Sequence, residues 1–333
     1  MSGAQIIKAL KIIIPLLLGV YLTWYFFSSM DENAWTAFVR SLKNANWWVV
    51  GVTMILGQAA YFFRAWRWKY QLEPMGFQTK FWSRYHALMM GYIINLTVPR
   101  AGEVSRAYML QRFHPVPFSA GFGTIITERI IDVLLLFTYM GITILLLSDD
   151  ISIILNQIKT EFGSEKSSSN LLIYLVIGGI FLSSLLFLIK SVRNKILGFL
   201  KTLAEGVLSV FKMKETAKFI GYTLLMWGNY FFMFWLTFFA FETTQQVPVE
   251  GVLCAFIAGG LSISITNGGI GTYPLVVAWV IDFFLKKEGI HTGKTDADAL
   301  GMIIWLSQTV VLLIMGLVSF FYIPSKTATH DEN

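Results

Sequence analysis

"INLTVPRAGEVSRAYML", residues 94–110, decides the fold. It sets a proline, a glycine and three charges, Arg100, Glu103 and Arg106, directly after an apolar run that begins at Phe81. A helix crosses a hydrocarbon layer of about 30 Å with about 20 apolar residues. The apolar stretches on either side of this break are each too short for that. A second region, 252–285, is interrupted in the same way by "SISITNGGIGTYP".

Working outward, the whole chain has the composition of a lipid-embedded protein. Of its 333 residues, 55% are hydrophobic and 14% charged. Its mean hydropathy is +0.61. Such a balance leaves too little polar surface for a water-soluble shell. Six segments have the length of full spans: 6–27, 46–63, 119–147, 171–189, 219–241 and 300–322. The first follows Lys8 and Lys11, has no small-residue cleavage site after it, and is expected to be retained.

Charge in the loops sets the expected orientation. Arg64, Arg67, Lys69, Lys80 and Arg84 follow the second span. Lys190, Arg193, Lys195, Lys201, Lys212, Lys214 and Lys218 separate the fourth from the fifth. Both loops, and with them both termini, are expected in the cytoplasm. If 81–98 crossed completely, the most basic loop would fall outside. A hairpin that enters from the cytoplasm and returns avoids this, and 252–285 then enters from the outer side. Non-helical backbone at membrane depth needs protein or a wet cavity around it, so both tips should be buried. Two shorter amphipathic stretches, one with Trp35, Phe38, Val39 and Leu42 and another over 196–211, suit helices lying along the two surfaces.

The two interrupted regions resemble each other. "INLTVPRAGE" (94–103) and "ISITNGGIGT" (263–272) align without a gap, matching Ile94 with Ile263, Thr97 with Thr266 and Gly102 with Gly271. Two spans, a hairpin and a span over 6–147 are followed by the same order over 171–322, with opposite topology. Inverted repeats with paired broken helices point to a transport site near the midplane. The expected fold is therefore an all-α polytopic membrane protein, one domain of six transmembrane helices plus two re-entrant helical hairpins in an inverted repeat.

The third span carries Glu128, Arg129 and Asp132 in "TIITERIIDVLLLF". An unpaired charge at the bilayer centre costs about 2.5–3.5 kcal/mol on insertion scales, so partners are required. Glu128 and Asp132 share a helix face while Arg129 points elsewhere. Arg100 and Arg106 are the expected partners of the two acids, and Glu103 of Arg129. Two roles fit this set: an internal ion cluster that holds the hairpin, or a site where arginines grip an anionic headgroup in fork geometry. Asn95 and Thr97 at the first tip, with Thr266, Asn267, Gly268, Gly269, Gly271 and Thr272 at the second, complete the candidate substrate-binding residues. The glycines permit a tight turn with close backbone approach. "RAWRWKY" (64–70) reads as an interfacial anchor.

Other chemistry is poorly represented. The net charge of +6 falls in short loops, with no basic and aromatic soluble module for nucleic acid. Cys254 is the single cysteine and His86, His114, His291 and His330 are scattered, so neither a metal site nor another cofactor is expected.

"RAWRWKYQL", "TVPRAGEVSRAYML", "TERIIDVLLL" and "NGGIGTYPL", in this order, resemble the lysylphosphatidylglycerol synthase transmembrane region, also called the flippase-like family. The resemblance implies an inner-membrane protein of the kind proposed to move aminoacylated phospholipids or polyprenyl-linked sugars between leaflets. It places Arg100, Gly102, Glu103, Arg106, Glu128, Arg129, Asp132, Gly268, Gly269 and Gly271 on the family's recurrent positions. Many members have an acidic residue shortly after the glycine tip, where this chain has Tyr273 and Pro274. The soluble aminoacyl-transfer domain of the synthase members is not expected here. The expected function is translocation of an anionic lipid or a polyprenyl-phosphate-linked glycan. The alternatives are a membrane-embedded lipid-modifying enzyme using Glu128 or Asp132 as base, and a non-transporting partner of a lipid synthase or glycosyltransferase.

Overall fold

The structure, a computed structural model, describes residues 17–28, 30–98, 101–147, 194 and 214–323, and all of these side chains except that of Thr97. The expected span 171–189, the amphipathic stretch 196–211 and Arg100 lie outside the described residues. The described residues form ten helices and no strand. They are α1 (Leu17–Ser28), α2 (Glu32–Asn44), α3 (Trp47–Leu72), α4 (Phe81–Thr97) and α5 (Ala101–Phe113). Then follow α6 (Phe118–Leu146), α7 (Thr216–Thr237), α8 (Val249–Ser262), α9 (Thr272–Lys287) and α10 (Lys294–Phe320). The chain forms two units, residues 1–129 with 213–333, and residues 130–212. Of the second, the main described part is the continuation of α6 from Ile130.

Among the described residues, four helical stretches are long and apolar enough to cross a membrane: Trp47–Met75, Phe118–Leu146, Thr216–Ala240 and Lys294–Phe320. Their outer sides carry apolar residues in the open, such as Ile55, Leu225 and Leu317. That surface belongs in hydrocarbon. α2 forms as its amphipathic pattern requires, with Phe38 buried. The Asp31 carboxylate caps its start, accepting the Ala34 N–H at 2.7 Å.

Both interrupted regions are pairs of antiparallel helices. α4 and α5 pack through Gly91 and Gly102, where a Cβ added at Gly102 would lie 2.5 Å from the Gly91 carbonyl oxygen. The far ends of the pair meet where the Lys80 N–H donates to His114 Nε2 at 3.1 Å. α8 and α9 pack in the same sense, Gly251 against Phe284 and Gly259 against Tyr273 and Val277. The second tip is buried only in part: Thr266 and Asn267 are each 3% exposed, whereas Ile263, Ser264 and Ile265 just before them lie open, contrary to the expectation of a fully buried tip. It turns through positive φ at Gly268, Gly269 and Gly271, a region open to glycine at little cost.

Within the first unit the helices define two opposite ends. α3 and α7 run antiparallel along each other, and the Asn46 N–H bonds the Ala240 carbonyl at 2.9 Å at one end. At that end Asp296 accepts from Ser41 Oγ and Thr243 Oγ1, each at 2.6 Å, tying α10 to α2 and to the loop after α7. At the other end Tyr70 stacks on Tyr222, and His86 of α4 stacks on Tyr322 just past α10. The α4–α5 pair opens toward this second end and the α8–α9 pair toward the first. Their tips meet, since Leu96 Cδ2 lies 2.5 Å from where a Gly268 Cβ would be. Trp305 Nε1 donates to the Gly268 carbonyl at 2.9 Å and pins the second tip to α10.

Candidate functional site

Two arginines of α3, one of α5 and one acid of α6 build the centre of the first unit. Arg64 and Arg67 are three apart, so both point from α3 toward α5 and α6. Glu128 is fully buried and Arg106 holds it bidentately, Nη1 to Oε2 at 2.7 Å and Nη2 to Oε1 at 2.9 Å. Arg67 Nη2 and Arg64 Nε approach the same Oε2 at 3.4 and 3.7 Å. Fork-to-fork pairing is the strongest ion-pair geometry available to a protein.

The guanidiniums are held by what surrounds them. The Arg106 Cζ sits 3.7 Å from the centre of the Trp68 ring, a desolvated cation–π contact. Trp68 is itself fixed, its Nε1 donating to Thr124 Oγ1 at 2.7 Å. Arg64 Nη1 donates to the Tyr92 hydroxyl at 2.7 Å and Arg67 Nη1 to Thr223 Oγ1 at 3.4 Å. Arg84 braces α4 on α3 through the Ala65 carbonyl, 2.8 Å from its Nε. Beneath the cluster, Trp68, Leu72, Ala87, Ala107, Leu110, Val116 and Ile125 form one apolar core.

Above it lies a small polar recess between α4 and α5. Its lining is Leu88, Gly91, Tyr92, Asn95, Gly102, Glu103, Arg106 and Arg129. Glu103 and Arg129 pair across it at 3.2 Å with side chains 27% and 42% exposed. Arg106 belongs to both layers: its two Nη atoms hold Glu128, while its buried Nε has no hydrogen-bond partner among the described residues. Asn95 Oδ1 accepts the Gly102 N–H at 3.2 Å and so caps the start of α5.

The expected pairs Arg106 with Glu128 and Glu103 with Arg129 are therefore both present. Arg100 and the side chain of Thr97 lie outside the described residues. Asp132 is buried one turn beyond Glu128 on α6 and belongs to the second unit. Thr266, Asn267, Gly268, Gly269, Gly271 and Thr272 come together at the second tip. There the Thr266 and Thr272 hydroxyls bond each other at 2.7 Å, and Thr272 Oγ1 donates to the Ser262 carbonyl at 3.1 Å. Arg64 and Arg67 are an addition: their aromatic, basic setting resembles an interfacial anchor, yet they are 4% and 0% exposed. Two arginines one helical turn apart at the end of an apolar run, with a buried acid on another span in need of partners, were the signal in the sequence. Among the described residues no group of three or more His, Cys, Asp or Glu is arranged to hold a metal.

Part of the chain is similar to a known protein. A UPF0104 membrane protein of Methanocaldococcus jannaschii is 32% identical over 77 residues, 22% of this chain and 23% of that protein, so the chain matches less than a quarter of that relative's length. No solved structure matches the chain. The profile of the lysylphosphatidylglycerol synthase TM region matches residues 12–289, which takes in every described helix up to the end of α9. The chain belongs to the lysylphosphatidylglycerol synthase transmembrane-region family.

Proposed function

We propose that this membrane protein translocates an anionic lipid, a phospholipid or a polyprenyl-phosphate-linked glycan, between the leaflets of the inner membrane. The observation that carries the proposal is the recess at the first helix break, with Arg106 and Arg129 in its wall. The Glu103–Arg129 pair there is partly exposed and exchangeable, whereas the Arg106–Glu128 pair below it is sealed. In this reading a phosphate displaces Glu103 from Arg129 and the small recess widens to take it beside Arg106. The bond to Arg129 is charge-assisted and strengthened where water is scarce. The Glu128 clamp keeps Arg106 charged and aimed without being consumed in binding.

The two helix pairs act as re-entrant hairpins of an inverted repeat, one dipping in from each leaflet. Their openings at opposite ends of the first unit and the contact of Leu96 with Gly268 support this. Lys69, Lys80 and Lys218 gather at the end to which the first pair opens, which we assign to the cytoplasm. At the other end Lys286, Lys287 and Lys294 are offset by Asp282, Glu288 and Asp296. Acyl or prenyl tails remain in lipid while the headgroup crosses. A lipid synthase or glycosyltransferase that makes the headgroup is the partner this role calls for.

The test is a leaflet-resolved assay in proteoliposomes with labelled phosphatidylglycerol and labelled phosphatidylcholine. Wild type is expected to speed exchange of the anionic lipid, and Arg129→Gln to slow it about tenfold, the loss of one charge-assisted contact. Wild-type exchange no faster than in protein-free vesicles would sink the proposal.

A further inference from the structure

The second tip contains an unmet polar group. Asn267 is 3% exposed, and neither its Oδ1 nor its Nδ2 has a hydrogen-bond partner among the described residues. Burying one amide with both ends unmet is costly, and native structures seldom tolerate it without a reason. Five residues on, α9 begins at Thr272 behind Gly271, at φ 71°, and its first turn is largely met by its own backbone: the Thr272 N–H bonds the Ile270 carbonyl at 2.9 Å and Pro274 has no N–H to offer. The contrast with the first tip is direct, since Asn95 there caps α5 with its own amide oxygen.

The amide limits which ligand fits. A phosphate oxygen accepts from Nδ2 but offers nothing to Oδ1, leaving a buried acceptor unmet. A hydroxyl donates and accepts, and two neighbouring hydroxyls satisfy both ends of the amide. The recess with Arg106 and Arg129 is next door, because Asn95 lines it and the following residue, Leu96, rests on Gly268. A charged site and a neutral one therefore flank a single leucine.

We propose that the unmet amide of Asn267 forms a subsite for the uncharged, hydroxyl-bearing part of a phosphorylated headgroup whose phosphate occupies the recess. This rests on the recess being the phosphate site, and it adds that the protein selects glycerol- or sugar-bearing phosphates over bare ones.

The experiment measures thermal unfolding of the full chain in nanodiscs against glycerol 3-phosphate and inorganic phosphate. Wild type, Asn267→Leu and Arg129→Gln are compared, and exchange of labelled phosphatidylglycerol and phosphatidic acid is measured in parallel. Leucine keeps the volume and removes the unmet polar atoms, so Asn267→Leu is expected to fold with a melting point at or above that of wild type. Wild type is expected to bind glycerol 3-phosphate about tenfold more tightly than phosphate, the ratio one or two good hydrogen bonds supply. Asn267→Leu is expected to bind the two equally, keeping wild-type affinity for phosphate and exchanging the two lipids at equal rates. Arg129→Gln loses affinity for both ligands. An unchanged glycerol preference in Asn267→Leu, or no preference in wild type, overturns the subsite while leaving the recess standing. Binding of neither ligand and exchange of neither lipid by wild type overturns both.

Discussion

Glu128 shows how one buried charge organises a membrane interior. Three guanidiniums approach its carboxylate, and removing that charge leaves them facing one another in low dielectric. Glu128→Gln is expected to cost about 3–5 kcal/mol, the usual penalty for breaking a buried pair from one side. The double variant Arg106→Gln with Glu128→Gln should recover part of that loss, as read by melting temperature in detergent. A single variant as stable as wild type would show that the carboxylate does not hold the cluster. His114 offers a titration. Burial, with Lys80 and Arg84 nearby, lowers its pKa below the ordinary histidine value, and its Nε2 accepts the Lys80 N–H only while unprotonated. Its contribution to stability is therefore present above the ordinary histidine pKa and is lost as pH falls toward the lowered one. Wild type should lose more stability than His114→Gln between pH 7 and pH 5, and parallel melting curves would remove His114 from this role.

At the scale of elements, close backbone approach makes the first helix pair. Gly102→Ala puts a methyl 2.5 Å from the Gly91 carbonyl oxygen, where there is main chain and nothing flexible to yield. It is expected to cost about 1–3 kcal/mol, as overpacking does, whereas Gly123→Ala, with open space around it, should be neutral. Equal melting temperatures for the two variants would contradict the packing described. Much of this level was legible in the sequence. The interruptions at Val98–Ala101 and around Asn267 were visible because a proline, glycines and charges break an apolar run, and such breaks are local. The length of α3 was not. Its apolar part stops near Phe63, but the helix continues to Leu72, since Arg64, Arg67 and Trp68 find partners only across the fold. The same distance effect hid Arg64 and Arg67 from the site, while Arg106 with Glu128 and Glu103 with Arg129 emerged because charges in hydrocarbon must pair. The unmet amide of Asn267 had no signal in the sequence, since an asparagine among glycines reads as turn chemistry.

At the scale of the molecule, the two helix pairs opening at opposite ends fix a topology that labelling tests. In a Cys254→Ser background, Gln78→Cys and Ser119→Cys flank the first pair, and Gln245→Cys and Thr292→Cys flank the second; all four native residues are exposed. An impermeant thiol reagent should reach the first two from the cytoplasmic side and the last two from the opposite side. Labelling of Gln78→Cys and Ser119→Cys from different sides would mean that one helix of the first pair crosses, and the re-entrant arrangement would be lost. The α3–α7 contact is the natural fixed post in this arrangement. These two helices occupy equivalent places in the proposed repeat and lie along each other.

The glycine crossing of α4 and α5 also limits how anything here can move. With carbonyl against α-carbon there is no slack for the two helices to slide or splay, and the Lys80–His114 bond closes their base like a clasp. Whatever rearrangement admits a headgroup must carry both helices together as one stiff wedge that pivots on the segments before Phe81 and after Phe113. Amide hydrogens of the two helices should then exchange with deuterium at matching rates, and the recess should travel whole with its wedge.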